Sequence, residues 1–373
     1  MSSTKKDKTT FKEAPFLVIK GFLMGSADIV PGVSGGTLAL ILGIYERLLN
    51  AIKSVNTPFL KALFKFRIKE ALQEVHLRFL GFLLIGVFSA FAFFTKVVPL
   101  QEYMFTDPEA VYGLFFGLIL GSIYILIKEI ESFRWQEGVM LLAGIAFGVW
   151  IVNLVPADTP ENPAFVFLSG CIAITAMILP GISGSYLLLI MRKYDFILMQ
   201  LGKIGGPQTL DGLIAITPFV LGALVGITLF SRFLSWLLSK YNALTIAVLI
   251  GFLIGSLFVI WPYQHRDFVE SVRDVEELSV TDPIVIELLK NGANSNLPEY
   301  YKLVDENLGA DALTTLKTVK VERVKRKLLS SKPYVPGYFG ETPKDEPKVW
   351  EGIIGMIVGI IMVGGLDKLR DKT

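Results

Sequence analysis

The sequence predicts an all-α polytopic membrane protein. It reads as inverted repeats, each a re-entrant helical hairpin plus three transmembrane helices, with one soluble external insertion. Three observations predict this. Hydrophobic residues make up 52% of the 373 residues and charged ones only 19%, where soluble globular chains run near a quarter charged. The apolar residues fall in blocks long enough to cross a bilayer. A long motif also recurs at an offset of 149 residues. Disorder, coiled coil and a disulfide scaffold are excluded together.

The first apolar block is 14–49, broken by Pro31-Gly32-Val33-Ser34-Gly35-Gly36. Residues 50–78 are amphipathic and basic. Ordinary spans follow near 79–98, 110–128 and 138–154, which completes a first repeat over 1–154. A second broken block, 164–200, is interrupted by Pro180-Gly181-Ile182-Ser183-Gly184-Ser185. Spans near 213–238 and 242–262 come next. Residues 263–348 are polar, with short helical patterns and Pro/Gly at the end, and read as the soluble insertion. A last span, 350–366, closes the second repeat, which comprises 155–262 plus 349–373. The arm 15–30 reaches about 24 Å as a helix, short of a hydrocarbon core of about 30 Å. Short, Gly/Pro-interrupted segments in matching positions of two halves point to a transporter binding site. Re-entrant hairpins and two full helices joined by a tight turn both remain open.

Placing Pro31 on Pro180 also aligns Gly21 with Gly170, Ser34 with Ser183, Leu38 with Leu187 and Tyr45 with Tyr194. Further on, Gly117 to Ser122 resembles Gly251 to Ser256, and Gly144 and Gly148 resemble Gly355 and Gly359 in spacing. Each half is a hairpin plus three spans. Three is odd and a hairpin does not change sides, so the halves are expected to be inverted. Lys/Arg in short loops sets the orientation. Lys5, Lys6, Lys8, Lys12 and Lys20, and then Arg47, Lys53, Lys61, Lys65, Arg67, Lys69 and Arg78, mark cytoplasmic segments. Lys368, Arg370 and Lys372 put the C-terminus on the same side, leaving the insertion external. Loop 191–212 misfits, because it carries Arg192, Lys193 and Lys203 on the expected outer side. No cleaved signal peptide is read.

The balance of 36 Lys+Arg against 34 Asp+Glu, net +2, implies no nucleic-acid partner. Cys171 is the sole cysteine, and both histidines, His76 and His265, lie in polar segments. No disulfide, metal site or cofactor is expected. The absence of a membrane-embedded histidine speaks against a His-dependent lipid phosphatase. No phosphate-loop or dinucleotide glycine fingerprint suggests ATP-driven transport.

The motifs Asp28-Ile-Val-Pro-Gly-Val-Ser-Gly-Gly-Thr and Ile178-Leu-Pro-Gly-Ile-Ser-Gly-Ser-Tyr closely resemble a bacterial membrane family formerly catalogued as a domain of unknown function and now assigned to polyprenyl-phosphate (undecaprenyl-phosphate) translocation. The resemblance covers nearly all of the chain except the insertion. It implies a transporter rather than an enzyme, set in the bacterial cytoplasmic membrane. Its task would be to return a lipid carrier to the inner leaflet after cell-wall precursors are delivered.

Such a lipid has one anionic head and a long apolar tail. After each Pro-Gly turn a helix begins, and its free N–H groups suit phosphate. Pro31, Gly32, Ser34, Gly35, Gly36 and Thr37, with Pro180, Gly181, Ser183, Gly184 and Ser185, are therefore the candidate substrate site, the two tips meeting near the midplane. The alternative is that these small residues only permit close packing. Asp28 lies deep in the first arm, aligned with Met177 in the second. It either couples proton binding to phosphate binding or caps the bend. Glu46 and Asp195 are paired acids at the far ends of the second arms, grouped with Asp28 as coupling candidates. Arg192 and Lys193 beside Asp195 either capture the head at the outer mouth or snorkel at the interface. Phe88, Phe91, Phe93 and Phe94 either line a tail slot or face lipid. A secondary transporter for a small soluble anion is the remaining alternative.

Overall fold

A computed structural model describes residues 9–30, 33–54, 59, 65, 67, 76–130, 133–154, 159–304, 317–337 and 348–370. Most of the basic segment 50–78 lies outside these residues, as do Pro31, Gly32, Lys5, Lys6 and Lys8. The protein is mostly helical. Five of its helices are long and apolar enough to cross a membrane, among the described residues.

Each broken block has two breaks rather than the single one expected at Pro-Gly. In the first, α1 (Ala14–Ile29) is followed by α2 (Gly35–Ile41) and α3 (Tyr45–Lys53). The second break is at Gly43, in the left-handed region at φ 67°. There Ile44 N–H donates to Ala39 O at 3.0 Å and Gly43 N–H to Leu40 O at 3.1 Å, the paired bonds of a Schellman C-cap. The first-repeat spans are α4 (Leu77–Lys96), α6 (Pro108–Glu129) and α7 (Trp135–Val152). A short α5 (Leu100–Thr106) lies where only a loop was expected. The second block contains α8 (Pro163–Ile178), α9 (Gly184–Ile190) and α10 (Tyr194–Gly202). Its spans are α11 (Thr209–Lys240), α12 (Asn242–Ser256) and α14 (Val349–Arg370). The expected span 242–262 is cut to 15 residues. Trp261-Pro262 disfavours helix before the proline, and the chain turns over 257–260.

Helices pack in matched pairs: α1 on α4 and α8 on α11, α6 on α14 and α7 on α12. Small residues let these backbones approach closely. A Cβ on Gly86 would stand 2.1 Å from Val18 O, and one on Gly222 1.9 Å from Phe167 O. Val18 and Phe167 are themselves 149 residues apart. The other pairs correct the sequence match by one helical turn. Gly144 packs on Val248 O and Gly251, while Gly355 packs on Ala110 O and Gly113. Gly148 likewise faces Gly255, and Gly359 faces Gly117. Gly113 and Gly117, not Gly117 and Gly121, therefore correspond to Gly251 and Gly255.

The insertion corrects the all-α expectation. It is a three-stranded sheet in the order β1-β3-β2. β1 (Gln264–Ser279) pairs antiparallel with β3 (Thr318–Pro333), and β2 (Glu299–Leu303) lies on the far edge of β3. One helix, α13 (Pro283–Asn291), packs against β2. Opposite charges face one another along the two long strands: Glu270 opposes Arg326, Asp274 opposes Arg323 and Glu277 opposes Lys320, the last an ion pair at 4.0 Å. Opposite charges across a ladder favour the sheet. Val280, Val285, Leu288, Val319 and Val321 form its small core. The sheet docks on the helices through Phe268 against Phe105 at 5.2 Å and Arg266 over Tyr112 at 4.5 Å. At its exit, Lys348 is ion-paired with Asp107 at the start of α6.

Candidate functional site

The two hairpin tips meet. Ser34 caps α2, its Oγ accepting from Gly36 N–H at 3.2 Å. The same hydroxyl reaches the second tip, donating to Met177 O at 3.4 Å. Thr37 Oγ1 accepts from Gly181 N–H at 3.0 Å, and Tyr45 Oη donates to Ile178 O at 2.9 Å. Gly36 is required by close approach, since a Cβ there would stand 2.8 Å from Ile178 O. Gly181 sits at φ 80°, which favours glycine. Ser34, Gly35, Gly36 and Thr37 are all buried. A seam of hydroxyls, backbone N–H groups and carbonyls thus crosses an apolar core.

Asp28 lies inside this seam. Its Oδ1 accepts from Gly35 N–H at 2.7 Å. A carboxylate therefore occupies the first amide of α2, an anion already seated where backbone donors gather.

The second tip is more open. Ser183 Oγ shares a hydrogen bond with Ser185 Oγ at 2.9 Å and accepts from Tyr186 N–H at 3.4 Å. Gly184 is buried, and Ser185 is exposed. Tyr186 Oη donates to Val152 O at 2.7 Å. Gly148, Val152, Gly181, Ser183 and Tyr186 line a crevice of about 20 Å³ beside the tip, room for about one water.

The charged candidates of the far ends are not gathered here. Glu46, Arg192 and Asp195 are exposed, beyond the second break of each hairpin. Lys193 does not stand at an open mouth. It is 1% exposed, and its Nζ donates to Thr159 O at 2.9 Å with the rings of Phe165 and Phe196 nearby. Arg192 adopts φ 50°, and among the described residues no other non-glycine has positive φ. It occupies the position that Gly43 holds in the first hairpin, with the same paired bonds: Arg192 N–H to Leu189 O and Lys193 N–H to Leu188 O, both 2.9 Å. Of the four candidate phenylalanines on α4, Phe88, Phe91 and Phe93 are exposed, while Phe94 packs toward the core.

Two contributors escaped the sequence reading. Tyr45 was matched to Tyr194 as a repeat without a role, although a hydroxyl retained in both halves was the available signal. Lys20, read above only as a marker of the cytoplasmic side, donates from Nζ to Leu42 O at 3.0 Å and so caps the last turn of α2.

Comparison with known proteins bears directly on this seam. The profile of the VCA0040-like family, described as undecaprenyl phosphate translocase-like, matches residues 24–277 and so spans both hairpins. The chain belongs to this family. Among relatives, a polyprenyl-phosphate transporter of Vibrio cholerae serotype O1 is 37% identical over 247 residues, covering 66% of this chain and 77% of the relative. A polyprenyl-phosphate transporter of Staphylococcus aureus is 30% identical over 258 residues, covering 66% of this chain and 85% of the relative. No solved structure matches. The family match ends within β1, so most of the sheet insertion lies outside the family's shared region.

Proposed function

We propose that this protein carries polyprenyl phosphate between the leaflets of the bacterial cytoplasmic membrane, returning the lipid carrier for cell-envelope synthesis. One observation carries the reading: in a chain of this family, the two Pro-Gly hairpin tips are joined directly, Thr37 accepting from Gly181 N–H. The tips form the headgroup site. The N–H groups at the starts of α2 and α9, with Ser34, Thr37, Ser183 and Ser185, receive the phosphate oxygens; the tail stays in lipid. Pro180 shapes the second turn, and Pro31 and Gly32, its counterparts in the sequence, lie outside the described residues. Arg192 lies at the outer end and receives the head first.

Asp28 makes the site switchable. While ionised, its carboxylate holds Gly35 N–H and repels a phosphate. Taking up a proton weakens that bond and frees the donor for the headgroup. Losing the proton on the other side restores the carboxylate and expels the lipid. Inward proton flow is thereby coupled to inward lipid movement.

The halves are inverted repeats of a re-entrant hairpin and three spans, with both termini cytoplasmic and the sheet insertion external. The matched packing of α1 on α4 and α8 on α11 supports this, with Val18 and Phe167 in the same role. The short reach of α2, about 10 Å for seven residues, supports a hairpin that does not span.

A polyprenyl phosphate bearing a photoreactive group near its head tests the site. Labelling is expected within 28–37 and 177–185, competed by unlabelled polyprenyl phosphate and not by inorganic phosphate. Labelling spread over the outer surface of the helices, or competed by inorganic phosphate, would contradict it.

A further inference from the structure

The two hairpins are joined asymmetrically. The 149-residue offset turns each bond from the first tip into an expected bond from the second. Tyr45 to Ile178 O becomes Tyr194 to Ile29 O, and Ser34 to Met177 O becomes Ser183 to Asp28 O. Among the described residues neither counterpart is formed. Ser183 is engaged with Ser185, and Tyr194 is 38% exposed. The elements follow the same split. α3 packs against α11, whereas α10 has no extended contact with α4 among the described residues. α11 also packs against α12, while α4 has no such extended contact with α6 among the described residues. The bond from Gly181 N–H to Thr37 Oγ1 lies opposite a different arrangement, since Tyr186, at the position matching Thr37, donates to Val152 O.

Two related halves of one chain that sit in different arrangements can exchange them, since each arrangement is already compatible with one half. We infer that the protein has a second state in which the hairpins trade places. In it the Tyr194 hydroxyl donates to Ile29 O, Ser183 donates to Asp28 O, and α10 packs on α4. Tyr45 releases Ile178 O, and α3 leaves α11. Tyr45 and Tyr194 are thus alternating latches. They are positioning residues for lipid passage that act by closing one side of the seam at a time. The inference rests on the inverted-repeat transporter reading above. On that orientation the described state is shut at the cytoplasmic α3 side and looser at the outer α10 side.

The test uses full-length protein in proteoliposomes with Cys171→Ala, which removes the sole native thiol. One variant carries Tyr45→Cys with Ile178→Cys, the other Tyr194→Cys with Ile29→Cys. Each is treated with a short bifunctional thiol reagent, with and without polyprenyl phosphate. Both pairs are expected to cross-link, the second less without lipid and more with it. To follow the latches themselves, Tyr45→Phe is added to the second pair. It is expected to raise that yield about fivefold, the ratio a single net hydrogen bond is worth. If the first pair links and the second does not, with lipid or in the Tyr45→Phe background, the exchange is overturned. If the first pair also fails to link, the described latch is not the one in the membrane, and the inference falls with it. Lipid movement is measured on the same vesicles. Exchange without lipid transport would retain the latches and sink the proposed function; transport with only the first pair linking would do the reverse.

Discussion

Arg192 takes a left-handed backbone conformation that its counterpart Gly43 adopts without a Cβ penalty. For an L-residue that conformation costs about 1 kcal/mol, and strain of this kind gathers where a side chain is needed. Arg192→Gly is therefore expected to stabilise the protein by up to about 1 kcal/mol while slowing lipid transport. Thermal unfolding in detergent and a leaflet-exchange assay read the two effects. A destabilised variant with full transport would contradict the account. Thr37 presents the opposite case. Thr37→Val keeps the shape and removes the acceptor of Gly181 N–H, a loss of about 1–3 kcal/mol for a buried donor left unpaired. Unfolding of the variant measures it directly. The polar members of the seam were legible as residue types, because Ser, Thr and Gly around Pro-Gly carry their chemistry in the sequence. Their partners were not. Nothing local to Thr37 says that its hydroxyl meets an amide 144 residues away.

At the scale of elements, glycines set how closely paired helices approach. Gly222→Ala places a methyl against Phe167 O, where a Cβ would stand at 1.9 Å. Backbone cannot yield as a side chain does, and overpacking of this kind costs about 1–3 kcal/mol. Gly81→Ala meets nothing within 4 Å and is expected to stabilise slightly, by up to about 1 kcal/mol, which gives the control of opposite sign in the same melting experiment. The clasp of Asp107 and Lys348 adds a pH dependence. The hydrogen bond from Lys348, with that from Thr106, holds the Asp107 carboxyl below its ordinary range, and the same bond from Asp107 pushes Lys348 up. The Asp107 contribution is present above the ordinary carboxylate value of about 3.9 and is lost as pH falls through the depressed one. The Lys348 contribution is present below about 10.4 and is lost as pH rises through the raised value. The pair is partly exposed, so its worth is under about 1 kcal/mol. Asp107→Asn should flatten that small acid limb of the stability curve and lower neutral stability by the same amount, under about 1 kcal/mol. Five long apolar helices were legible as apolar runs because such runs have few other solutions, whereas the run 242–262 forms a helix only over Asn242–Ser256. The sheet was missed because β1 carries its regularity in charges that pair only across the ladder. The Schellman break at Arg192 was missed because the usual glycine signal is absent there.

For the whole molecule, the 149-residue repeat was readable and proved the most productive feature. It relates Val18 to Phe167, whose carbonyls each face a glycine of the neighbouring helix, Gly86 and Gly222. The asymmetry between the hairpins was not readable, because two aligned motifs cannot say which one is engaged. A seam with Asp28 on Gly35 N–H, in a chain of a family described as undecaprenyl phosphate translocase-like, makes one central claim. We propose that the chain moves the phosphate head through that seam under proton control. The most direct measurement places fluorescent undecaprenyl phosphate in one leaflet of proteoliposomes. Its arrival in the other is followed with and without a pH gradient, for the wild type and for Asp28→Asn. The account predicts protein-dependent crossing that the gradient accelerates and Asp28→Asn no longer responds to. Folded wild-type protein that moves no lipid would contradict it.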